Sequence, residues 1–257
     1  MDIIKIGYIV NIVLILLMVI GLGFFLTWKF KIGWRLFFVG GATYMAAQIL
    51  SLVVMGLIQS SVQSFTPTLP VQLLLSLVFL MILLSIEEGI RYAMYRWWAK
   101  DVRSWTGGLM VGSGHGGMEV ILIGFSALYK FVQLLPLRYA DLAKLYPDQL
   151  QEATKLVHNY WSAPLYKALS EAVRSGLTLP IQLACSLLVL QVFLRGQYRW
   201  LGYAVVWHTL ASLPVYFVNP ETYVLLQLAF LAIASIISVV LILRLRPRQE
   251  QAIEIAR

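Results

Sequence analysis

Two carboxylates and a histidine–glutamate pair lie inside two successive apolar segments of this chain. Glu87 and Glu88 are adjacent within one such segment, and His115 and Glu119 lie within the next. An ionisable side chain at the centre of a bilayer costs about 2.5–3.5 kcal/mol on insertion scales, so residues of this kind usually serve a function. Buried acids and bases can transfer protons or bind a metal ion, which makes these four residues the first candidates for a site.

The spacing within the two segments supports this interpretation. Arg91 follows Glu87 by four residues and Glu88 by three, so on a helix it can pair with either carboxylate. An ion pair that merely holds two helices together explains these three residues equally well. His115 and Glu119 are four residues apart and share a helix face, a spacing that suits two metal ligands or a ligand with its general base.

Glycines surround the histidine and the glutamate of the second segment. They are Gly112, Gly114, Gly116 and Gly117. Glycine lets a second backbone or a substrate approach closely, and small residues are also typical of helix packing in membranes. Because His115 and Glu119 lie among these glycines, we favour a site over packing alone.

The elements that must position these residues are membrane spans. Of 257 residues, 60% are apolar and 12% are charged, against about 25% charged residues in an ordinary soluble domain. A spanning helix needs about 20 apolar residues, and seven segments qualify: 6–27, 34–58, 70–96, 106–129, 176–194, 200–218 and 222–243. We therefore expect an all-α polytopic membrane helix bundle forming a single integral membrane domain, residues 1–257, with the first span retained as an anchor.

The lysines and arginines predict the orientation of the bundle. One side receives three short connections and the tail, which hold Lys29, Lys31, Arg35, Arg96, Lys100, Arg103, Arg195, Arg199, Arg244, Arg246, Arg248 and Arg257. The other side receives fewer, mostly in one long loop, where basic residues are a weak signal. This pattern predicts an outside N-terminus and a cytoplasmic basic tail, residues 244–257. The basic residues, which give the chain a net charge of +8, then lie at the cytoplasmic edge of the membrane, where anionic lipid is their counter-charge. We therefore expect no nucleic-acid partner.

The longest connection, residues 130–175, is expected to form an extracytoplasmic loop. Within it, the stretch from Asp148 to Asn159 has the composition of an amphipathic helix. An interfacial helix and a lid over the bundle are both compatible with this composition.

Four potential acids, bases or ligands lie at one depth in the predicted bundle. Glu87, His115, Cys185 and His208 each lie nine or ten residues from the cytoplasmic end of their segment. At 1.5 Å per residue, all four are about 14 Å from that boundary. We therefore expect Glu87, His115 and His208 to converge in a cavity that opens toward the cytoplasm. Cys185 alone suits a small buried apolar residue, and as a thiolate it would be a strong zinc ligand.

Two sequence boxes resemble a known family. Glu87-Glu88-x-x-Arg91, followed by His115-Gly116-Gly117-x-Glu119, is similar to the YhfC family of intramembrane metalloproteases, which is related to the CAAX prenyl protease and bacteriocin-processing superfamily. The resemblance covers about residues 80–215. It makes His208 the late histidine of that superfamily, with Ser212 in the place of an amide or acid. Cys185 stands where the family often has a further histidine.

The resemblance implies hydrolysis of a peptide bond inside the membrane. A glutamate, Glu87 by preference, would act as general base on a water held by His115 and His208, while Arg91 keeps Glu88 charged and fixed. Glu119 could be a metal ligand, the base or an orienting group. The implied substrate is a membrane-embedded peptide or protein and the implied metal is zinc, with the candidate ligands His115, His208, Glu119 and Cys185.

Two other classes of protein fit the same residues. A proton-coupled transporter could use the buried carboxylates and histidines as a relay, although the chain shows no internal repeat of the kind that favours a transporter. A non-catalytic membrane scaffold descended from proteases is permitted by Cys185 and Ser212. The sequence predicts no particular oligomeric state.

Overall fold

A computed structural model describes residues 2–62 and 68–247 and contains helices but no strand within those ranges. The helices are α1 (Ile3–Phe30), α2 (Arg35–Val62), α3 (Leu69–Trp97), α4 (Trp105–Leu137), α5 (Leu142–Leu145), α6 (Leu150–Trp161), α7 (Leu165–Ala168), α8 (Ser170–Arg195), α9 (Arg199–Phe217) and α10 (Pro220–Arg244). The predicted all-α membrane fold is therefore confirmed.

Six helices in the described ranges are long and apolar enough to cross a membrane. They correspond to six of the seven predicted spans. The seventh, residues 200–218, forms the 19-residue helix α9, which is not among the six because polar residues such as His208, Thr209 and Ser212 lower its hydropathy. The count of seven spans and the orientation of the bundle stay predictions.

The long connection is shorter than predicted. Helix α4 continues to Leu137, and α8 begins at Ser170, so helix replaces loop at both ends of residues 130–175. Residues 130–135 contain no glycine or proline that would end α4, and Ser170 and Glu171 are compatible with the first turn of a helix. The amphipathic helix is confirmed as α6. The tail prediction concerns residues 244–257, of which 248–257 lie outside the described residues.

The described chain divides into two compact units. One combines the chain up to Gly21 with Val120–Gly176, and the other combines Leu22–Glu119 with the chain from Leu177 onward. The single domain that we predicted stays a prediction.

In the first unit, α6 packs its apolar face against α1 and α4. The rings of Tyr8 and Tyr160 stack with centroids 4.0 Å apart, and the indole N–H of Trp161 donates to the carbonyl of Leu134 at 3.0 Å. Val157 and Trp161 are buried in the same apolar cluster as Phe131. The amphipathic helix is thus held by its own apolar side.

In the second unit, the glycines of α4 allow close packing against two neighbouring helices. A methyl group at Gly114 would collide with the backbone carbonyl of Phe37 on α2, and one at Gly116 would collide with Gln182 on α8. The glycines therefore pack α4 against α2 and α8 and in doing so fix the position of His115. That the box also forms part of a site stays a prediction.

We predict that Gly114→Ala destabilises the protein. The added methyl group meets a backbone carbonyl, which cannot move aside as a flexible side chain can, and overpacking of this kind costs about 1–3 kcal/mol. The melting temperature of the detergent-purified protein, monitored as the loss of the monodisperse peak in size-exclusion chromatography after heating, measures the effect. Gly56→Ala on α2 is the matched control, since a methyl group there meets nothing within 4 Å. Equal melting temperatures for the two variants would contradict the packing argument.

Candidate functional site

The site is built around Arg91, whose side chain is fully buried. Its Nη1 donates to both carboxylate oxygens of Glu88 at 2.8 Å. Its Nη2 donates to Glu87 Oε1 at 3.3 Å and to the side-chain carbonyl of Gln182 at 2.6 Å. A buried charge is tolerated when it is paired and hydrogen-bonded, and Arg91 meets that condition through α3 itself and through α8.

Glu87 has one engaged oxygen and one available oxygen. Its Oε1 accepts hydrogen bonds from Arg91, from His115 Nε2 at 2.9 Å and from Gln182 Nε2 at 3.3 Å. Within the described part of the chain, no donor contacts Oε2. The residue is 7% exposed and lines a cavity. Glu87 therefore has an oxygen that can accept a proton from a ligand or a water.

Glu88 is engaged on both oxygens and is fully buried. Besides Arg91, it accepts a hydrogen bond from His208 Nδ1 on α9, at 2.7 Å from Oε1. Because an ionised carboxylate can only accept, the His208 proton must lie on Nδ1, which leaves Nε2 as the acceptor of a neutral ring. Glu88 thus fixes the tautomer and orientation of His208, and the two glutamates of the box have different environments.

Gln182 on α8 joins the carboxylates to the arginine, and the sequence analysis missed it. Its carbonyl oxygen accepts from Arg91, while its Nε2 donates to Glu119 Oε2 at 2.7 Å as well as to Glu87. Arginine can only donate and carboxylates can only accept, so this is the one amide orientation that satisfies all three partners. The available signal was an amide within a predicted span, three residues from Cys185 on the same helix.

Three side chains in the described ranges could hold a metal ion together. The ligand atoms of Glu88, Cys185 and His208 all lie within 4.8 Å of one another, and all three residues are buried. One carboxylate, one thiol and one imidazole form a donor set that zinc accepts. These residues therefore fit a metal in kind and spacing, and a bound ion would replace the direct hydrogen bond between Glu88 and His208.

His115 and Glu119, also predicted as metal ligands, lie outside this group of three. His115 is fully buried behind Glu87, and its Nδ1 has no hydrogen-bond partner among the described residues. Glu119 lies at the wall of the cavity, where it contacts Gln182. Glu87 and His208 both line the cavity, whereas His115 contacts Glu87 but is not among the lining residues. The convergence of Glu87, His115 and His208 in one cavity therefore stays a prediction.

A cavity of about 190 Å³ adjoins the carboxylates. Its polar walls include Tyr44, Gln48, Glu119, Thr178, Ser212 and Tyr216, and Glu87 and His208 lie at its inner end. Most of the lining residues, such as Gln48, Thr178 and Tyr216, lie farther along their helices from the basic ends than Glu87 does. The lining thus extends mainly toward the opposite helix ends, whereas we predicted an opening toward the basic ends. The side on which the cavity opens stays a prediction.

Fold and site together define a class: a multi-pass helical membrane protein, located in the cell membrane, with a buried cluster of carboxylates and histidines beside an internal cavity. The chain belongs to the YhfC intramembrane metalloprotease family, whose family profile matches residues 13–246. The relation to CAAX prenyl proteases stays a prediction.

The chain is also similar to the uncharacterized membrane protein YhfC of Bacillus subtilis (strain 168), with 29% identity over 131 residues. The matched stretch covers 50% of this chain and 51% of that protein, so the chain spans about half the length of the curated relative. No solved structure matches the chain significantly.

We predict that Arg91→Ala prevents stable folding or accumulation. The change leaves two buried carboxylates without their cation, at a cost of about 3–5 kcal/mol. The yield of monodisperse protein after detergent extraction measures the loss. Arg96→Ala is the matched control on the same helix, because Arg96 is exposed and its guanidinium donates to the hydroxyl of Tyr92. Normal accumulation of Arg91→Ala would show that the ion cluster does not hold the bundle together.

Proposed function

We propose that this chain is an intramembrane protease in which Glu87 activates a water molecule for attack on a peptide bond. The observation that carries the proposal is that Oε2 of Glu87 has no hydrogen-bond donor among the described residues, while Glu87 and His208 both line the cavity. A general base must lie within hydrogen-bond reach of the proton that it abstracts. Glu88, enclosed by Arg91 and His208, has no such access.

The surrounding groups keep Glu87 ionised and in place. Arg91, His115 and Gln182 all donate to Oε1, so the carboxylate cannot rotate away without losing three hydrogen bonds. Preorganised donors of this kind are effective because they need no rearrangement during the reaction. The arrangement directs the remaining oxygen at the reactant.

The proposed reaction takes its protons from the water. Glu87 Oε2 accepts a proton as the water oxygen forms a bond to the carbonyl carbon. His208, whose proton on Nδ1 is held by Glu88, orients the water by accepting a hydrogen bond from it on Nε2. Glu87 then returns the proton to the amide nitrogen as the C–N bond breaks, which regenerates the carboxylate. The products are a carboxylic acid and an amine.

The family name adds a metal to this proposal. Glu88, Cys185 and His208 would hold the ion, for which zinc is our candidate. A bound zinc ion supplies a Lewis acid that polarises a carbonyl and makes a bound water more acidic. Glu119 serves in either case as a second carboxylate in the cavity, fixed by Gln182.

We predict that Glu87→Gln keeps the fold and loses proteolysis. Glutamine preserves shape and can still occupy the space beside His115 and Arg91, but it cannot accept the proton, and loss of a general base typically lowers the rate about 10²–10⁴-fold. Cleavage of a panel of transmembrane peptides by the purified protein in detergent measures it. Glu152→Gln, on the exposed side of α6, should cleave like the parent. Undiminished cleavage by Glu87→Gln would move the base to Glu119.

The metal is tested separately. We predict that the parent chain binds about one equivalent of zinc, that Cys185→Ser loses it, and that His115→Ala keeps it, because His115 lies outside the group of three ligands. Elemental analysis after purification and dialysis gives the metal content, and cleavage with and without a chelator shows whether the ion is needed. Zinc lost from His115→Ala but kept by Cys185→Ser would contradict the assigned ligand set.

A further inference from the structure

The basic residues mark one set of helix ends in the second unit. They flank the end of α1 and the start of α2, follow the end of α3, and join α8 to α9. The connections at the opposite ends, residues 57–69 and 217–223, contain no lysine or arginine. By the positive-inside rule, the basic ends face the cytoplasm.

The cavity extends away from those basic ends. Glu87 lies ten residues before the end of α3, about 15 Å from it along the helix. Thr178 precedes the end of α8 by 17 residues, and Tyr216 follows the start of α9 by 17, which places both about 26 Å from the basic ends. Tyr216 is 57% exposed. The cavity therefore runs from the carboxylates to a surface at the opposite ends of the helices.

A packed layer closes the other direction. Met94 and Tyr95 on α3 and Leu187 and Leu190 on α8 lie between the carboxylates and the basic ends, and each is at most 1% exposed. The hydroxyl of Tyr95 is hydrogen-bonded to Ser186 Oγ at 2.8 Å, and Ser186 donates in turn to the carbonyl of Gly108 on α4 at 3.0 Å. Apolar packing and satisfied polar groups together exclude water on this side.

We propose that substrate and water reach the site from the extracytoplasmic face. The substrate class in this inference rests on the proposed function. If the chain is a protease, its substrate is a polypeptide segment presented on the extracytoplasmic face, such as part of an exported or membrane-tethered protein. The cavity favours cationic or neutral segments, since Glu87, Glu88 and Glu119 face one arginine and the lining contains no lysine. From the cytoplasmic side, a peptide meets the packed layer of α3, α4 and α8 before it reaches the carboxylates.

The proposal is tested by thiol labelling, which does not depend on catalysis. Ser212→Cys and Thr178→Cys each place a thiol on the cavity wall, from different helices. Thr68→Cys and Lys100→Cys, both at exposed positions, report the two membrane faces. The parent chain sets the background because its one cysteine, Cys185, is fully buried. The reagent is a membrane-impermeant quaternary-ammonium thiosulfonate, whose positive charge suits the acidic cavity, and adducts are counted by intact mass.

The expected result is that both cavity thiols and Thr68→Cys are modified in intact spheroplasts, while Lys100→Cys is modified only in inverted vesicles. Cavity thiols that react like Lys100→Cys, or that react from neither side, would overturn the proposal. So would the opposite pattern for Thr68→Cys and Lys100→Cys, since it would invert the orientation. Labelling from outside together with an absence of proteolysis would sink the proposed function while leaving the access route intact.

Discussion

The buried ion cluster of Arg91 is the interaction on which the site depends. A guanidinium without access to water must find acceptors from the protein, and here two glutamates of its own helix and Gln182 of α8 supply them. Each acceptor is thereby fixed, and through Glu88 the ring of His208 on α9 is fixed as well. The guanidinium of Arg91 thus links α3 to α8 directly and to α9 through Glu88. These contacts hold the side chains of Glu87, Glu88 and His208 in place.

Close helix packing is the second requirement, and glycine meets it. His115 reaches Glu87 from α4 only because the flanking glycines bring that helix against α2 and α8 without a side chain between the backbones. Dispersion and packing drive association inside a membrane, where the hydrophobic effect between helices is absent. The histidine box therefore combines His115, which contacts the proposed base Glu87, with the glycines that set the distance between them.

The sequence predicted the helices and most of the cluster because both follow from local rules. Apolar length predicts a span, and the spacing of Glu87, Glu88 and Arg91 predicts their pairing on one helix. The sequence did not predict which side chains of different helices contact one another. Gln182 resembles any tolerated polar residue until its three partners are known, and the grouping of Cys185 with Glu88 rather than His115 depends on helix rotation. Depth along a helix is visible in a sequence, whereas the direction in which a cavity opens is not.

That direction follows from where the structure places small and large side chains. On the basic side of the carboxylates, Tyr95 and the leucines of α8 fill the space between α3, α4 and α8. On the other side, shorter or polar residues such as Thr178 and Ser212 leave a cavity that water can occupy. The packed side keeps the arginine cluster away from the solvent that would weaken its ion pairs, and on our proposal the other side admits the water that hydrolysis would consume. The proposed reaction needs a dry environment around Arg91 and access of water to Glu87. Glu87 meets both needs because it lies between the packed layer on one side and the cavity on the other.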